Sequence, residues 1–357
     1  METTVIRNPS RATGPALIIA LLPGLFWACG GSTEPGTPPE PVTIVVPGFP
    51  PMPETPDNPL TRQGIELGRR LFYDPILSGD HTQSCGSCHA PEFAFTDHGK
   101  RVSVGIDDIE GTRSTPAIIN AAWSVDLFWD GRAEDLEEQA MGPVPNPIEM
   151  HLEWEEAERR LQAHAEYPAM FQAAFGTDKA TAGLTVKAIA QFERTLVSGN
   201  SRYDRWKRGL LELGSSELRG MTLFFTERGD CFHCHPDGFF TDQLYHNTGL
   251  DASFEDIGRE EVTGHAFDRG KFKSPTLRNI AFTAPYMHDG RFDTLEDAVK
   301  HYNNGGVGSP NVDPLIRVGT GLGLDPQDVL DIVAFLHALS DSSFITNPDF
   351  ASPFPAP

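Results

Sequence analysis

The sequence predicts an all-α protein built from two tandem lobes with long loops. Apolar residues recur at helical spacing in three parts of the chain, whereas the alternating pattern of β-strands is scarce. Short blocks of sequence also recur in the same order in both halves. With 357 residues and 39% apolar content, the chain can bury one large core or two modest ones. The helical positions are Leu67, Leu71, Val186, Ile189, Phe192, Leu196, Val329, Ile332, Val333, Leu336 and Leu339.

The amino terminus predicts an export signal over residues 1–29. Arg7 and Arg11 precede an apolar run from Ala16 to Trp27, and Ala28-Cys29-Gly30-Gly31 follows it. A charged region, a short apolar region and small residues are typical of export signals, and the run is too short to span a bilayer comfortably. Cys29 stands where a lipoprotein signal places its acylated cysteine, and ordinary cleavage is the alternative. We therefore expect a periplasmic or cell-envelope protein that is held at the membrane by a lipid on Cys29.

Two segments that flank the predicted lobes are rich in proline and polar residues. Residues 30–58 contain many Pro, Gly, Ser and Thr residues and little apolar periodicity, which predicts an extended tether. Residues 342–357 predict a similar polar tail. The folded part is therefore expected to run from about Pro59 to Leu339. Asp325 followed by Pro326 predicts the start of the last helix of that part.

The charge of the chain excludes one class of partner. Lysine and arginine total 28 against 50 aspartates and glutamates, which gives a formal net charge of −22. Nucleic acid would be repelled, so we expect small or basic partners such as soluble electron carriers.

Four of the five cysteines form two Cys-x-x-Cys-His motifs, Cys85-Gly86-Ser87-Cys88-His89 and Cys231-Phe232-His233-Cys234-His235. This spacing lets two thiols add to the vinyl groups of one haem while the following histidine binds the iron. A zinc site or a pair of dithiol redox motifs is the alternative. Zinc does not need a histidine after each cysteine pair, and the α/β pattern of thioredoxin-like proteins is not visible. The sequence thus predicts two covalently attached haem c groups in cytochrome c-like lobes.

The surroundings of the two motifs show an internal duplication. We place its first lobe at residues 59–212 and its second at 213–341. The repeated blocks are Gly68-Arg69-Arg70-Leu71-Phe72 with Gly220-Met221-Thr222-Leu223-Phe224, Thr115-Pro116-Ala117-Ile118-Ile119-Asn120 with Ser274-Pro275-Thr276-Leu277-Arg278-Asn279, and Asp130-Gly131-Arg132 with Asp289-Gly290-Arg291.

The duplication predicts a difference between the two haems. The offset from Asp130 to Asp289 is 159 residues, and the same offset relates Pro143 to Tyr302. A tyrosine can bind ferric iron as a phenolate, while proline offers no donor. If both positions face iron, the second haem is capped and the first stays open to an oxidant such as hydrogen peroxide. The first haem would then be catalytic and the second would relay or store electrons.

Other interpretations of Tyr302 remain open at this point. It could be a buried aromatic residue whose hydroxyl group bonds to the backbone. His301 and Met287 are rival sixth ligands of the second haem.

The chain resembles the bacterial di-haem cytochrome c peroxidases and their MauG-like relatives over nearly all of the predicted folded part. The resemblance rests on both haem motifs and on several further blocks. These blocks are Phe128-Trp129-Asp130-Gly131-Arg132, Gln139, Glu149-Met150, Phe192-Glu193-Arg194-Thr195-Leu196 and Pro285-Tyr286-Met287-His288-Asp289-Gly290.

The resemblance implies roles for three side chains. Trp129 would lie between the haems and pass electrons, while Gln139 and Glu149 would line the peroxide pocket. Heterolysis of peroxide needs a proton to leave the near oxygen and reach the leaving oxygen. One carboxylate, that of Glu149, can do both.

The sequence departs from the family pattern at three places. Ile106 stands where members that need reductive activation carry a blocking distal histidine. Tyr302 replaces the methionine ligand of the second haem, as in MauG. The family's calcium ion between the lobes would be bound by Ser114, in place of an asparagine, and by backbone oxygens of Thr283 and Pro285, and this substitution weakens the expectation of calcium.

Three functions follow as hypotheses. The leading one is reduction of hydrogen peroxide to water with electrons from a small cytochrome or cupredoxin. The second is MauG-like oxidation of aromatic residues on a partner protein, which Tyr302 and Ile106 favour. The third, a non-enzymatic electron carrier, would give Glu149 and the donor-free position at Pro143 no purpose.

Overall fold

The computed structural model describes residues 38–97 and 99–355, so the predicted export signal and Cys29 lie outside the described residues. The described chain is mainly α-helical, which confirms the predicted helical class. Its helices are α1 (Arg62–Tyr73), α2 (Cys85–Cys88), α3 (Leu136–Met141), α4 (Trp154–Ala163), α5 (Tyr167–Phe175), α6 (Ala182–Glu193), α7 (Arg202–Lys207), α8 (Ser215–Phe224), α9 (Glu260–Thr263), α10 (Leu295–Asn304), α11 (Pro326–Ala338) and α12 (Ser342–Ile345).

Sheet structure is minor in the part of the chain that is described. Strands β1 (Tyr245–His246) and β2 (Phe272–Lys273) pair antiparallel, with Tyr245 opposite Lys273. Short 3₁₀ turns cover Pro75–Leu77, Pro91–Phe93, Ile106–Asp108, Ala121–Trp123, Ala266–Asp268 and Ile280–Phe282. Across residues 38–97 and 99–355, none of the helices combines the length and the apolar character that crossing a bilayer requires.

Side-chain caps explain where the main helices begin. The hydroxyl oxygen of Thr61 accepts a hydrogen bond from the Gly64 N–H at 3.0 Å and starts α1. Asp325 accepts from the N–H groups of Gln327 and Asp328, and Pro326 follows at the first helical position. The predicted start of the last long helix is therefore confirmed.

The apolar residues form two main cores. The first core contains α1, α4, α5 and α6, and it includes Leu71, Phe72, Phe95 and Phe192. The second core contains α8, α10 and α11, with Phe224, Phe240 and Phe335 at its centre. Tyr203 also packs in this second core, although the expected boundary after residue 212 assigns it to the first lobe. The reason is that its ring contacts those of Phe240 and Phe335.

The same two helix contacts recur in both cores. A Cβ atom on Gly68 of α1 would lie 1.8 Å from the carbonyl oxygen of Ala188 on α6, so only glycine allows this approach. A Cβ atom on Gly220 of α8 would likewise lie 1.8 Å from the carbonyl oxygen of Asp331 on α11. The repeated sequence blocks therefore have repeated packing, and glycine in each block is needed for close approach.

A second repeated feature fixes the register of the two halves. The backbone N–H of Asn120 donates to the carbonyl of Leu196 at 3.0 Å, and that of Asn279 donates to the carbonyl of Leu339 at 3.1 Å. Both asparagines have a positive φ, 55° and 60° respectively. Leu196 and Leu339 thus occupy equivalent positions just after α6 and just after α11.

The expectation of an extended tether is wrong for residues 38–58. The Val42 N–H donates to the Leu60 carbonyl at 2.9 Å, and Glu40 forms an ion pair with Arg62 at 2.7 Å. The Phe49 ring contacts those of Trp123 and Phe239. The segment docks because the rings of Trp123 and Phe239 receive Phe49. It also docks because Val42 and Glu40 make polar contacts with residues at and just before the start of α1.

The expectation of a polar tail after Ser340 is also wrong. Phe344 and Phe350 are 2% and 8% exposed and belong to the first core, where both contact Phe95. Arg69 and Tyr73 of α1 donate hydrogen bonds to backbone carbonyls of this segment. The end of the chain therefore completes the core of the first half.

Candidate functional site

A first cavity of about 1040 Å³ opens beside the first Cys-x-x-Cys-His motif. Cys85 and Cys88 lie on α2, and the motif ends at His89, whose backbone N–H donates to the Cys85 carbonyl at 2.9 Å. All three side chains line this cavity. The wall also holds the other residues predicted for the first haem, which are Trp129, Gln139, Pro143 and Glu149.

The tautomer of His89 suits an iron ligand. Its Nδ1 lies 2.8 Å from the carbonyl oxygen of Phe95. Because a carbonyl oxygen only accepts, Nδ1 carries the hydrogen and Nε2 keeps its lone pair. Burial lowers the pKa of His89 to about 4, so the ring is neutral at physiological pH. Burial also raises the pKa of the Cys88 thiol to about 11.

A second cavity of about 330 Å³ lies beside the second motif and has a mostly apolar wall. Cys231, Cys234 and His235 line it. The Nδ1 of His235 lies 2.9 Å from the carbonyl oxygen of Phe240, which repeats the arrangement at His89. Burial lowers the pKa of His235 as well.

Each cavity therefore joins two thiols, a neutral histidine oriented by a backbone carbonyl, and a largely buried surround. This set of donors fits a covalently attached haem c. Zinc would need all four ligands to converge on one point, but the two motifs lie on different cavities.

The rival ligands of the second haem differ in position. Tyr302, on α10, and Met287 both line the second cavity. His301 is not part of that wall, and its Nε2 lies 2.9 Å from the carbonyl oxygen of Thr248. Burial raises the pKa of Tyr302.

The equivalent position in the first half also reaches its cavity. Helix α3 begins at Leu136 after the cap Asp135, and α10 begins at Leu295 after the cap Thr294. The 159-residue offset therefore aligns the two helix starts. Helix α3 ends at Met141, whereas α10 continues to Asn304, so Pro143 follows a helix end while Tyr302 lies within a helix. Pro143 lines the first cavity without offering a donor.

Trp129 lies in a wall that both cavities share. Its Nε1–H donates to the Ser114 carbonyl at 2.8 Å, and its own carbonyl accepts from the Lys273 N–H at 2.7 Å. These two hydrogen bonds fix Trp129 in the wall that the two cavities share.

Glu149 is a partly buried acidic group on the wall of the first cavity. Burial raises the pKa of its carboxyl, while the charge of Arg132 and a hydrogen bond from Asn146 oppose that change. The Asn146 amide donates to Oε1 at 2.7 Å, which fixes the direction of the carboxylate. Gln139, on α3, lines the same cavity.

Ile106 lies next to this group but does not form part of the described cavity wall. The residue is 3% exposed, and its backbone N–H donates to the Glu149 carbonyl at 2.9 Å. The side chain is apolar and packs into the interior, so it presents no ligand to the first cavity.

The three residues predicted for calcium, Ser114, Thr283 and Pro285, all lie on the wall of the second cavity. The Ser114 carbonyl oxygen already accepts the Trp129 hydrogen bond.

Sequence reasoning missed an ionic group beside the second motif. His246 lies between two carboxylates, with Nδ1 2.7 Å from Asp313 and Nε2 2.8 Å from Asp242. Burial alone would lower its pKa, but Asp242, Cys234 and Asp313 together raise it to about 11, so the ring is a cation. Cys234 is close enough to join a metal site with Asp242 and His246. A protonated histidine whose two nitrogens are both engaged is not a metal ligand, so the group is an ion triad.

Sequence reasoning also missed Glu193 as a separate site residue, because it appeared only inside a family block. It is 3% exposed, lies at the end of α6 and lines the first cavity. Aligning α6 with α11 could have identified it. The structure shows that alignment, because α6 packs against Gly68 of α1 in the same way that α11 packs against Gly220 of α8.

Comparisons with known proteins agree with this architecture. The family model described as di-haem cytochrome c peroxidase matches residues 62–212. The chain is 37% identical over 296 residues to the methylamine utilization protein MauG of Methylorubrum extorquens, covering 82% of each chain. It is 35% identical over 345 residues to the cytochrome c551 peroxidase of Nitrosomonas europaea, covering 95% of this chain and 94% of that one.

A solved structure shows the same fold. A MauG-like protein associated with microbial copper homeostasis superposes with a TM-score of 0.81 at 37% identity, over 86% of this chain and 98% of the other. Long, nearly end-to-end similarity at this level of identity, together with two cavities that each suit a haem c, assigns the chain to one family. It belongs to the di-haem cytochrome c peroxidase family, to which the MauG proteins also belong.

Proposed function

We propose that this protein reduces hydrogen peroxide to water with electrons from a small redox donor. Each turnover consumes one peroxide, two electrons and two protons and yields two waters. One observation carries the proposal. Equivalent positions after α3 and within α10 hold Pro143 on the first cavity and Tyr302 on the second, and Glu149 lies on the first cavity alone.

The first cavity would be the site of peroxide reduction, with haem attached to Cys85 and Cys88 and its iron bound by His89. When bound, the haem supplies the electron-accepting and electron-donating chemistry that no side chain can provide. Glu149 takes a proton from the near oxygen of peroxide at its carboxylate and returns it to the leaving oxygen. Asn146 orients the carboxylate, and Gln139 orients the peroxide.

The second cavity would hold the electron-transfer haem, attached to Cys231 and Cys234 with His235 and Tyr302 as its protein ligands. Burial favours the neutral phenol of Tyr302, and a ferric iron would supply the positive charge that stabilises the phenolate. Trp129, which lines both cavities, would carry electrons between the two haems. A soluble donor, a cytochrome or a cupredoxin, would refill the second site.

The division into two haem-carrying lobes, residues 59–212 and 213–341, is part of the same proposal, with α7 moved to the second lobe and residues 342–355 added to the first. We further propose that residues 1–29 direct export, that Cys29 anchors the protein by a lipid in the cell envelope, and that Ser114, Thr283 and Pro285 bind calcium.

A MauG-like reaction is the second candidate. In that case an oxidised haem pair would draw electrons from an aromatic residue on a partner protein. Tyr302 on the second cavity and the apolar Ile106 favour it. The similarity to MauG of Methylorubrum extorquens supports it to the same extent that the similarity to the Nitrosomonas peroxidase supports the first.

Steady-state kinetics separates the two reactions. We expect the holoprotein to oxidise a reduced small cytochrome continuously when peroxide is added, with two cytochromes oxidised for each peroxide. No turnover with cytochrome or cupredoxin donors, combined with a long-lived oxidised state after peroxide, would instead support oxidation of a partner protein.

The resting protein is expected to need no reductive activation. Ile106 presents no ligand to the first cavity, so the untreated ferric protein should show one high-spin and one low-spin signal in electron paramagnetic resonance. Peroxide consumption should start without a lag. Two low-spin signals, or a lag that ends only after a reductant is added, would contradict this expectation.

Replacing Tyr302 with phenylalanine is expected to change the spin state and absorption spectrum of the second haem, because the phenol oxygen is lost while the ring is kept. Tyr286→Phe is the matched control. Tyr286 lines the same cavity, but its hydroxyl group donates to the Ile280 carbonyl at 3.1 Å. An unchanged spectrum in Tyr302→Phe would remove Tyr302 as a ligand and leave Met287 as its rival.

A further inference from the structure

We propose that Glu193 carries an exchangeable proton in the first cavity, which its carboxylate gains when the haem bound there is reduced and loses when that haem is oxidised. When a haem bound there takes up one electron from the donor, one proton from solvent would bind a Glu193 oxygen. Both the electron and the proton would be given up on oxidation. This role is separate from that of Glu149, which moves a proton between the two oxygens of one peroxide.

The internal duplication singles out Glu193. It lies five residues after Ala188, whose carbonyl meets Gly68, and three residues before Leu196. Leu336 lies five residues after Asp331, whose carbonyl meets Gly220, and three residues before Leu339. The two residues therefore occupy the same place in equivalent helices.

Both positions face the cavity of their own half. Ile189 and Glu193 line the first cavity, and Ile332 and Leu336 line the second. Leucine fills this position well, since Leu336 is 6% exposed in the second core. A carboxylic acid at the equivalent place in the first half is thus not needed to build the fold.

One of the two carboxyl oxygens of Glu193, the buried Oε2, lacks a hydrogen-bond partner among the described residues. The neighbouring Arg194 turns its guanidinium to Glu137 instead, with Nη2 at 2.8 and 2.6 Å from the two carboxylate oxygens. An ionised carboxylate in such a place is strongly disfavoured, whereas a neutral acid is tolerated.

The charges around Glu193 place its proton exchange near physiological pH. Burial raises its pKa to about 8, while Arg194 lowers it and Glu137 raises it. Cys85 is the other titratable group that interacts with it, and this sulfur is uncharged once it forms a thioether. A ferric haem adds positive charge and lowers the pKa of Glu193, and reduction removes that charge and raises the pKa again.

The inference depends on a haem in the first cavity, as the proposed function does, but not on peroxide as the substrate. Redox titration of the holoprotein at a series of pH values tests it without turnover. We expect the midpoint potential of the first haem to fall as the pH rises between about 6 and 9. The slope should be at least halved in Glu193→Gln and in Glu193→Leu, which copies the residue of the second half.

Glu149→Gln is the matched control, because it removes a second, partly buried carboxyl of the same cavity. It should keep the slope of the parent. The proposal is overturned if Glu193→Gln and Glu193→Leu retain more than half of the parent slope, or if Glu149→Gln removes the slope instead.

An infrared difference spectrum between the oxidised and reduced parent protein gives a test that requires no variant to fold. We expect a carbonyl band of a protonated carboxylic acid that appears on reduction and shifts in heavy water. The band should be lost in Glu193→Gln and kept in Glu149→Gln. The absence of any such band in the parent would overturn the proposal, whatever the fate of the peroxidase reaction.

Discussion

Replacing Glu149 with glutamine is expected to slow peroxide consumption by about 10² to 10⁴-fold, the usual contribution of a positioned acid-base group. Glutamine keeps the size of the side chain but cannot accept the proton of peroxide. The hydrogen bond that Asn146 donates to Oε1 can persist with the amide oxygen, so the loop should keep its shape. Stopped-flow measurement of peroxide decay with prereduced donor gives the rate.

Glu155→Gln is the control for Glu149→Gln, because Glu155 is exposed on α4 and does not line the first cavity. It should leave the rate unchanged. A Glu149→Gln rate within about twofold of the parent would refute the acid-base role.

The pH dependence of the parent should follow from the same residue. The base form of Glu149 is the ionised one, so the rate should fall as the pH drops through its pKa. Because burial raises that pKa, the fall should begin at a higher pH than for an exposed glutamate. The Gln variant should lack this limb of the profile.

Replacing Arg278 with methionine is expected to destabilise the protein by about 3–5 kcal/mol, because it leaves a buried carboxylate without its partner. Arg278 is 2% exposed and donates two hydrogen bonds to Asp204, at 2.8 and 3.0 Å. It also donates to the Gly238 carbonyl at 2.8 Å and lies over the Phe49 ring. The Arg278 guanidinium thus contacts α7, the loop that follows the second haem motif, and Phe49 of residues 38–58.

The matched control is Arg202→Met. Arg202 forms a similar bidentate pair with Glu217, but its side chain is 50% exposed, so the loss should be about 0–1 kcal/mol. Denaturant unfolding of the holoproteins measures both. An Arg278→Met loss no larger than that of Arg202→Met would contradict the expectation.

A double variant tests the cause. Arg278→Met combined with Asp204→Leu removes both charges, and it should recover part of the stability that the single variant loses. Burial by itself would raise the pKa of Asp204, but the hydrogen bonds and charge of Arg278 hold it below the usual range. The pair therefore stabilises the fold at neutral pH and ceases to do so as acid protonates Asp204.

Much of the architecture could be predicted from the sequence because it depends on local patterns. Helical spacing located α1, α6 and α11, and Asp325 with Pro326 located the start of α11. The Cys-x-x-Cys-His spacing located both cavities, since the thiols and the histidine are close along the chain. The repeated glycines, Gly68 and Gly220, pointed to the duplication that the helix packing displays.

The parts that were missed depend on contacts between distant residues. Phe49 lies in a proline-rich segment, and only the rings of Trp123 and Phe239 give it a partner. Phe344 and Phe350 follow a polar stretch, and Phe95 is far from them in sequence. Short helices such as α7 have too few residues to show a period. From composition alone, the segments that contain Phe49, Phe344 and Phe350 were therefore predicted to be exposed to solvent.

The residues of the candidate site could be predicted from the sequence to about the same extent as the fold. Residues with distinctive chemistry, such as His89, Trp129, Glu149 and Tyr302, could be proposed from motif and offset, and each lies on the wall of a cavity. His246 depends on Asp242 and Asp313, and the latter is 67 residues away. Glu193 looks like one acid among many until α6 and α11 are superposed.

The docking of Phe344 and Phe350 against Phe95 has a consequence for the order in which the molecule is completed. A ribosome makes the chain from its amino terminus, so Cys85 and Cys88 emerge long before those two phenylalanines exist. The hydrophobic face around Phe95 therefore stays uncovered until the whole chain has been made. Premature termination just before Asp341 would leave that face uncovered for good, and would harm the half of the protein that was synthesised first.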